Sequence, residues 1–449
     1  MPEHTVPVDD DLVEFLEEEL TTPLTGDEPC WKLLVVDDEP EVHKVTELAL
    51  SGFAFDDRVV RILNAYSGDE AREVLGQNPD TAVILLDVVM ETDTAGLDFV
   101  RWVRGELGNR LVRIILRTGQ PGHAPEHRVV VDYDINDYRN KAELTAQRLT
   151  TSMIASLRSH RDLRHISDFN TALARFVPAE LTTLLGRDSI VDVRLGDHVE
   201  RTMAVLFSDI RSFTSRSERL SPAEVFSFLN DYLAQAGPLI RAHGGYVDKY
   251  VGDAILAIFP NGSDDALRAA IAIQRRVDEL NVDLSPQDAI RIGIGVHAGP
   301  MVLGMIGEEQ RMDGTVIADA VNLTARLEGL CKEFGVRIVT TEGCLAGAGG
   351  AYDTRSLGSL SVRGKDERVP VHEVFDCDAP SLRAGKLASR ATLEEGLRRL
   401  AAGDLDEASR ALRSVVETIP DDPVALDYLA RAMTARRSRL LGHERPSPS

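Results

Sequence analysis

Short apolar runs and amphipathic stretches alternate between residues 31 and 141, and this alternation restricts the fold more than any other feature of the chain. Five of the runs are predicted as strands: KLLVVDDE, Arg61–Ala65, TAVILLDVV, LVRIILRTG and DINDYRNK. Helices are predicted between them at Glu41–Leu50, Gly68–Gly76 and Leu97–Glu106. Because consecutive parallel strands need a crossover connection, the pattern predicts a doubly wound parallel sheet.

Polar residues stand at the carboxyl ends of these predicted strands. They are Asp37, Asp38, Asp87, Thr118 and Lys141. Ligands bind at this edge in doubly wound sheets, so the five polar groups are predicted to converge there. A carboxylate nucleophile among other carboxylates needs a divalent cation to offset their repulsion, and a lysine to stabilise the anion that forms.

This constellation resembles the receiver domain of two-component response regulators, over roughly residues 31–160. The resemblance implies that Asp87 accepts a phosphoryl group from a cognate sensor histidine kinase. It also implies that Asp37, Asp38 and Asp87 hold Mg²⁺, that Thr118 senses the phosphoryl oxygens and that Lys141 pairs with the phosphoryl charge.

Two positions depart from the common receiver pattern. Glu91 stands where a proline often follows the methionine, and Ala142 follows Lys141 where a proline is usual. The alternative hypothesis is a receiver fold that no longer accepts phosphate.

A second pair of acids lies in the stretch Met203–Phe259. The predicted strand Met203–Phe207 leads to Asp209, and the predicted strands Tyr246–Tyr250 and Ala254–Phe259 are joined through Val251-Gly252-Asp253. If the strand ends are neighbours, the two carboxylates form a pair that suits Mg²⁺, which prefers oxygen ligands. Taken alone, two solvated loop acids would be the simpler interpretation.

The residues around and after this stretch again mix helices and strands. Ser221-Pro222-Ala223-Glu224 predicts a capped helix start, with an interruption at Gly237-Pro238. A further amphipathic helix is predicted at Asp264–Leu280. The segment IRIGIGVHAG is predicted as a strand, MVLGMIG as its neighbour and VNLTARLE as a helix.

Five motifs, taken in order, resemble those of class III nucleotidyl cyclases over roughly residues 200–375. They are FSDIRSFT, DKYVGDA, IGIGVHAGPMVLGMIG, VIADAVNLTARLE and SVRGK. The resemblance implies an α+β ferredoxin-like domain that uses two Mg²⁺ or Mn²⁺ ions per site. It assigns Asp209 and Asp253 as metal ligands, with the carbonyl group of Ile210 as a further ligand.

The same resemblance assigns the substrate-binding groups. Lys249 and Thr315 would select adenine, Asn322 and Arg326 would act on the transition state, and Lys365 would bind the terminal phosphates. Residues four apart on a helix share a face, so the Asn and Arg can reach one ligand.

Two positions depart from the cyclase pattern. Ala318 replaces a usual glycine, and Pro300 stands where some catalytic domains carry a phosphate-binding arginine. Neither change removes a metal ligand or the base-reading pair, which is Lys249 and Thr315.

The function implied is a phosphorylation-regulated adenylate cyclase that converts ATP to 3′,5′-cyclic AMP and pyrophosphate. Guanine would need an acidic partner for its N1 proton and ring amine, whereas Lys249 can donate to N1 of adenine. In the family, sites are shared between two catalytic domains, so a homodimer with two equivalent composite sites is expected. A guanylate cyclase and a catalytically inactive interaction module remain as alternatives.

The predicted organisation has six parts. They are an acidic disordered tail (1–29), a flavodoxin-like receiver domain (30–143), a signalling helix and linker (144–199), a cyclase domain (200–376), a tetratricopeptide-like helical hairpin (377–434) and a disordered tail (435–449). The helix at Leu144–Ile166 has the apolar spacing of a short coiled coil. The fold class is therefore multidomain α/β.

Bulk composition excludes several classes of partner. The net charge of −23 argues against non-specific binding to nucleic acid or anionic lipid, and it does not forbid a nucleotide substrate. No apolar run is long enough for a membrane span, and the four scattered cysteines fit a reducing cytoplasm. A cytoplasmic location without a membrane partner is therefore expected.

Overall fold

The computed structural model describes residues 29–118, 133–141, 145–361 and 368–442. The chain divides into two compact units, residues 1–173 and residues 174–449. None of the helices in the described ranges combines the length and the apolar run that crossing a bilayer requires.

The N-terminal unit is built on one main sheet. Its strands are β1 (Trp31–Val36), β2 (Ala54–Phe55), β3 (Arg58–Ala65), β4 (Val83–Asp87), β5 (Arg113–Thr118) and β6 (Asp137–Asn140). The order is β3-β1-β4-β5-β6 with every pair parallel, and the short β2 pairs antiparallel with β3. The predicted parallel sheet is therefore present, and its strand order is the flavodoxin-like one.

Four helices accompany this sheet in the described residues. They are α1 (Pro40–Ala49), α2 (Gly68–Gln77), α3 (Ala95–Arg101) and α4 (Ala146–Leu173). A π-helical turn, Trp102–Glu106, continues α3, so the second half of the helix predicted at Leu97–Glu106 has wider hydrogen bonding than expected.

Helix α4 begins where the linker was predicted, yet its first half belongs to the core of the N-terminal unit. Leu149, Met153 and Leu157 are buried against strands β1, β4 and β5. In its second half Ile166 and Phe169 are exposed. The predicted signalling helix is thus also the helix that covers one face of the sheet.

The C-terminal unit contains an eight-stranded sheet. Its strands are β7 (His198–Ile210), β8 (Tyr246–Val251), β9 (Ala254–Phe259), β10 (Ile292–Glu308), β11 (Arg311–Ile317), β12 (Ile338–Thr341), β13 (Thr354–Ser361) and β14 (Arg368–Val374). The order is β13-β14-β12-β10-β7-β9-β8, and β11 pairs with the second half of β10.

Strand β10 corrects the prediction that IRIGIGVHAG and MVLGMIG are two neighbouring strands. It runs unbroken through Gly299 and Pro300 and pairs with β7 over Ile292–Gly304. On its other side it pairs with β12 and then with β11, and residues between these two partners are paired with β7 alone. Proline is tolerated in a strand where one side has no partner, which explains why Pro300 does not end the strand.

The helices before the C-terminal tail are α5 (Ala179–Leu184), α6 (Phe213–Ser217), α7 (Pro222–Ala242), α8 (Ser263–Leu280), α9 (Asp319–Phe334) and α10 (Glu342–Ala346). Helix α7 starts with the predicted capping box of Ser221 and Glu224. The predicted interruption at Gly237-Pro238 is wrong, because α7 is continuous through Pro238. Tyr232 and Ile240 are buried on either side of the proline, and this packing holds the helix on the sheet.

The tail forms three helices, where a two-helix hairpin was predicted. They are α11 (Pro380–Ala401), α12 (Leu405–Thr418) and α13 (Pro423–Gly442). Gly403 and Asp404 form the predicted turn, with Asp404 capping α12. Helix α13 also extends into the predicted disordered tail from residue 435. Its residues Val424 and Ala432 are buried against the eight-stranded sheet and α9.

Candidate active site

The polar edge of the N-terminal sheet brings together most of the residues predicted for it. The ammonium group of Lys141 lies 2.8 Å from Oδ2 of Asp87 and 3.1 Å from Oδ2 of Asp37. Asp37, Asp38 and Glu39 each offer an oxygen within 4.8 Å of the others. Thr118 is buried at the end of β5, the strand next to the one that carries Asp87.

Of the charged groups at this edge, Asp87 is buried and Lys141 is half-buried. Burial raises the pKa of Asp87, although Lys141 opposes the shift. Burial also works against the charge of Lys141, yet the hydrogen bonds and charges of Asp87 and Asp37 raise its pKa. These carboxylates are hard oxygen donors, the kind that Mg²⁺ selects.

Sequence reasoning missed Arg117 at this edge. Its guanidinium is buried, 3.4 Å from Oδ2 of Asp37 and 3.3 Å from Oγ1 of Thr46 on α1. Arg117 stands inside the apolar run LVRIILRTG, which gives no sign of this contact. Only the position of β5 between its neighbours reveals the contact.

The C-terminal unit places the second acid pair side by side. Asp209 is the penultimate residue of β7, and Asp253 lies in the turn between β8 and β9, where Gly252 takes a φ of +65°. The ladder between β7 and β9 aligns the two strand ends, with Ser208 opposite Ile255. The pKa of Asp209 is raised to about 6, because the side chain is half-buried and the Asp253 carboxylate lies beside it.

Lys249 and Thr315, the predicted base-reading pair, are in contact, with the ammonium group donating to Oγ1 over 2.8 Å. The ladder pairs Thr315 with Gly304, which lies opposite His198 at the start of β7. Lys249 instead lies level with Phe207, near the end of β7. The contact therefore requires the β10–β11 hairpin to curl back over one face of the sheet, where Met301 and Val316 are buried.

The remaining predicted residues are placed in part. Asn322 and Arg326 are exposed one turn apart on α9. Ile210 is buried at the end of β7, next to Asp209. Lys365 lies outside the described residues.

Residues 198–372, which contain both pairs, match the family model for the adenylate and guanylate cyclase catalytic domain. The match likens this segment, and not the whole chain, to that catalytic domain, and residues 198–372 are named the cyclase domain. The described Asp209, Asp253, Lys249, Thr315, Asn322 and Arg326 all lie within it.

Curated relatives of the chain include two adenylate cyclases. The terminal-differentiation specific adenylate cyclase of Dictyostelium discoideum is 34% identical over 279 residues, covering 60% of this chain and 13% of that protein. The adenylate cyclase of Anabaena cylindrica is 42% identical over 210 residues, covering 44% of this chain and 42% of that protein.

A third relative has a different name. The 3′3′-cGAMP-specific phosphodiesterase 2 of Vibrio cholerae is 49% identical over 149 residues, covering 33% of this chain and 28% of that protein. The chain spans less than half the length of each of these three relatives.

The cyclase domain also contains an acid that sequence reasoning missed. Glu328 on α9 has its pKa raised to about 7, by burial first and then by the charge of Asp209. Gly293 lies opposite Asp209 in the sheet, and a Cβ atom there would meet Oε1 of Glu328 at 2.5 Å. The absence of a side chain at Gly293 therefore lets Glu328 approach the acid pair. No spacing rule links these residues, and only the strand pairing reveals them.

The replacement of glycine by Ala318 does not strain the cyclase domain. Ala318 precedes α9 with a φ of −165°, an extended conformation that any residue adopts. The turn before α9 therefore accommodates alanine in place of glycine.

Proposed function

We propose that this chain is an adenylate cyclase, which converts ATP to 3′,5′-cyclic AMP and pyrophosphate. The observation that carries the proposal is that one cyclase domain contains both the adjacent Asp209 and Asp253 carboxylates and the Lys249–Thr315 contact. The relatives named adenylate cyclase agree with this choice. A guanylate cyclase is the second candidate, since the family model includes both activities.

Asp209 and Asp253 are proposed to hold two divalent cations, Mg²⁺ or Mn²⁺, with the carbonyl of Ile210 as a further ligand. Burial, and then the charge of Asp253, raises the pKa of Asp209, and two such neighbouring carboxylates form a donor set that fits a hard cation. Such cations would activate the ribose 3′-hydroxyl and neutralise the leaving pyrophosphate.

The other groups bind and orient the substrate. Lys249 donates a hydrogen bond to N1 of adenine, and Thr315 fixes the position of its ammonium group. Asn322 orients the ribose, Arg326 stabilises the charge that develops on the phosphorus, and Lys365 binds the terminal phosphates. Placing fixed donors where charge develops is worth on the order of 10²–10³ in rate for each donor.

Each site is proposed to be shared between two copies of the chain. One copy would provide the carboxylates and the other would provide Lys249, Thr315, Asn322, Arg326 and Lys365. The exposed apolar residues Ile166, Phe169 and Leu173 of α4 support self-association, because their spacing of three and four residues is that of a coiled-coil seam.

The assay that tests the activity uses the purified full chain, Mg²⁺ or Mn²⁺, and either ATP or GTP, with detection of both cyclic nucleotides. Cyclic AMP from ATP is expected. Cyclic GMP as the main product would favour the second candidate. No product from a dimeric preparation would contradict the enzyme hypothesis and favour an inactive interaction module.

Lys249→Glu is expected to lower the ratio of kcat/KM for ATP to that for GTP by about a hundredfold or more. A carboxylate repels the N1 lone pair of adenine and accepts hydrogen bonds from N1 and the amine of guanine. The ratio is measured from initial rates with each nucleotide. Lys249→Met is the matched control, since it removes the donor and adds no acceptor. An unchanged ratio in Lys249→Glu would show that the base is read elsewhere.

Regulation is proposed to come from phosphorylation of Asp87 in a receiver-like N-terminal unit, with Mg²⁺ held by Asp37, Asp38 and Asp87. The hydrogen bond from Lys141 supports this role, because the ammonium group can pair with the phosphoryl charge. A sensor histidine kinase would be the physiological donor.

A small acyl phosphate is expected to change the cyclase activity of the wild-type chain and to leave that of Asp87→Asn unchanged. The amide cannot form the acyl phosphate, and it removes one charge from the edge. Cyclic AMP formation is measured with and without the phosphodonor. Asp93→Asn, an exposed acid on the same edge, is the control and should respond as wild type does. A full response in Asp87→Asn would contradict the assignment.

A further inference from the structure

Four arginines border one cavity of about 280 Å³ at the end of the β7–β10 ladder in the C-terminal unit. They are Arg211, Arg216, Arg219 and Arg291. Ser212, Ser215 and Gln287 add polar groups to the wall, and none of the lining residues is acidic. Ile210, whose carbonyl group is proposed as a metal ligand, also lines the cavity, so the cavity borders the residue that follows Asp209.

None of the four guanidinium groups has a carboxylate oxygen within 4.0 Å in the part of the chain that the structure describes. Arg211 donates to the main-chain carbonyls of Cys331, over 2.8 Å, and of Val336. Arg216 donates to the main-chain carbonyl of Asp288. These acceptors are neutral, so they satisfy hydrogen bonds without neutralising the positive charges, and the Glu328 carboxylate acts on Arg211 only from beyond ion-pair distance.

The burial of Arg211 makes the excess of positive charge at this cavity more costly. Its Nε atom is buried and has no acceptor among the described residues. Burial lowers the pKa of Arg211. Cys331 and the Glu328 carboxylate oppose this shift, and the charges of Arg291 and Arg337 add to it. Such a cluster is costly unless an anion approaches it.

Nearby acids do not supply that anion. Arg216 and Arg219 also border a neighbouring cavity whose wall includes Glu224, Asp231 and Asp288, and none of these carboxylates lies within 4.0 Å of either guanidinium group. Glu224 accepts hydrogen bonds from Ser221 at the start of α7. Asp288 accepts a hydrogen bond from the hydroxyl of Ser285 over 2.6 Å. The cavity therefore has a local excess of positive charge, although the chain as a whole has a net charge of −23.

We infer that this cavity binds a free phosphate-class oxyanion, inorganic phosphate or pyrophosphate, at a site separate from the Asp209–Asp253 pair. Guanidinium groups match the oxygen geometry of phosphate and bind it through paired hydrogen bonds, to which the serine hydroxyls add donors. A cavity of about 280 Å³ is below the usual size of sites for whole drug-sized ligands, which favours an inorganic anion over a nucleotide. Neither acid of the pair and neither base-reading residue lines it.

Isothermal titration calorimetry of the full chain tests the inference. The chain is kept metal-free with a chelator, and phosphate and pyrophosphate are titrated in separate experiments, which distinguishes the two anions. Binding of at least one is expected. Arg219→Gln/Arg291→Gln is expected to weaken it by about tenfold or more, because two charge-assisted contacts are lost. Both side chains are exposed, so the variant should fold.

Two further variants decide between this site and others. Arg413→Gln/Arg437→Gln removes two exposed arginines elsewhere and should bind as wild type does. Asp209→Asn/Asp253→Asn should also retain binding, since those acids do not line the cavity. The inference is overturned if neither anion binds, if the Arg219/Arg291 variant binds as tightly as wild type, or if the double asparagine variant loses binding. The last result would assign the anion to the substrate site.

Discussion

Asp209→Asn is expected to lower cyclic AMP formation by at least about a hundredfold while the chain still folds and dimerises. The amide keeps the size of the side chain and removes the charge that would hold a divalent cation next to the ribose and the phosphates. The rate is measured with ATP and Mg²⁺ at saturating substrate. Activity near the wild-type level would show that this carboxylate does not belong to the catalytic site.

The same variant should be more stable than wild type in the absence of metal. The raised pKa of about 6 means that the folded chain binds a proton at Asp209 more tightly than the unfolded chain, where the pKa is near 3.8. Stability from this group is therefore present at low pH and is lost as pH rises from about 4 through about 6. Asp209→Asn lacks that loss, so the difference in melting temperature from wild type should grow over this range. Thermal unfolding with a chelator measures it.

Mixing two inactive variants tests whether the site is shared between copies. Asp209→Asn leaves the substrate-binding half intact, and Arg326→Ala leaves the carboxylate half intact. Random exchange makes half of the dimers mixed, each with one intact site of two, so about a quarter of the wild-type activity should return.

The matched control for this mixture uses two variants from the same half. Asp209→Asn mixed with Asp253→Asn should restore nothing, because no exchange produces an intact carboxylate pair. If the site lies within one chain, the first mixture should also stay inactive. That result would contradict the shared site and leave the assignment of the carboxylates untouched.

Sequence patterns predicted the features that depend on local composition. The alternation of apolar runs with amphipathic stretches identified the parallel sheet, and turn residues located Gly252 and Gly403 correctly. Asp209 and Asp253 come from two different motifs, and they also lie beside each other, because each stands at the end of a strand. Strand ends are local features, and neighbouring strands bring them together.

Features set by tertiary packing could not be predicted in this way. Gly299-Pro300 has the composition of a turn. Strand β7 nevertheless pairs with the residues before and after this dipeptide, so β10 continues through the proline. Glu328 reaches the acid pair only because Gly293 has no side chain, and the two are 35 residues apart in sequence. The final helix α13 runs past residue 434, where the predicted hairpin ends, and its buried residues Val424 and Ala425 pack on residues far away in the chain.

Those contacts include a cluster of buried charges between the tail and the edge of the sheet. Arg355 on β13 and Asp422 before α13 are both fully buried and are paired. Arg355 also donates to Glu373 on β14 over 2.5 Å, and Lys386 on α11 donates to the same carboxylate. Asp422 accepts hydrogen bonds from the main-chain amides of the first turn of α13, so it also caps that helix.

Arg355→Met is expected to lower the free energy of unfolding of the C-terminal unit by about 3–5 kcal/mol, because Asp422 would remain buried without its cation. Adding Asp422→Asn should recover part of the loss. Asparagine caps a helix as well as aspartate does and carries no charge. Arg383→Met, which removes a partly exposed arginine paired with Asp353, should cost about 1 kcal/mol or less.

The two tryptophans of the chain provide an internal reference for this measurement. Trp31 and Trp102 both lie in the N-terminal unit, so tryptophan fluorescence follows the urea unfolding of that unit, while far-UV circular dichroism also follows the helices and strands of the C-terminal unit. Arg355→Met should shift the dichroism transition to lower urea and leave the fluorescence transition in place. Equal shifts in both signals would mean that the two units unfold together. An unshifted dichroism transition would mean that the buried charges contribute little, and that apolar packing of α13 alone fixes the tail to the sheet.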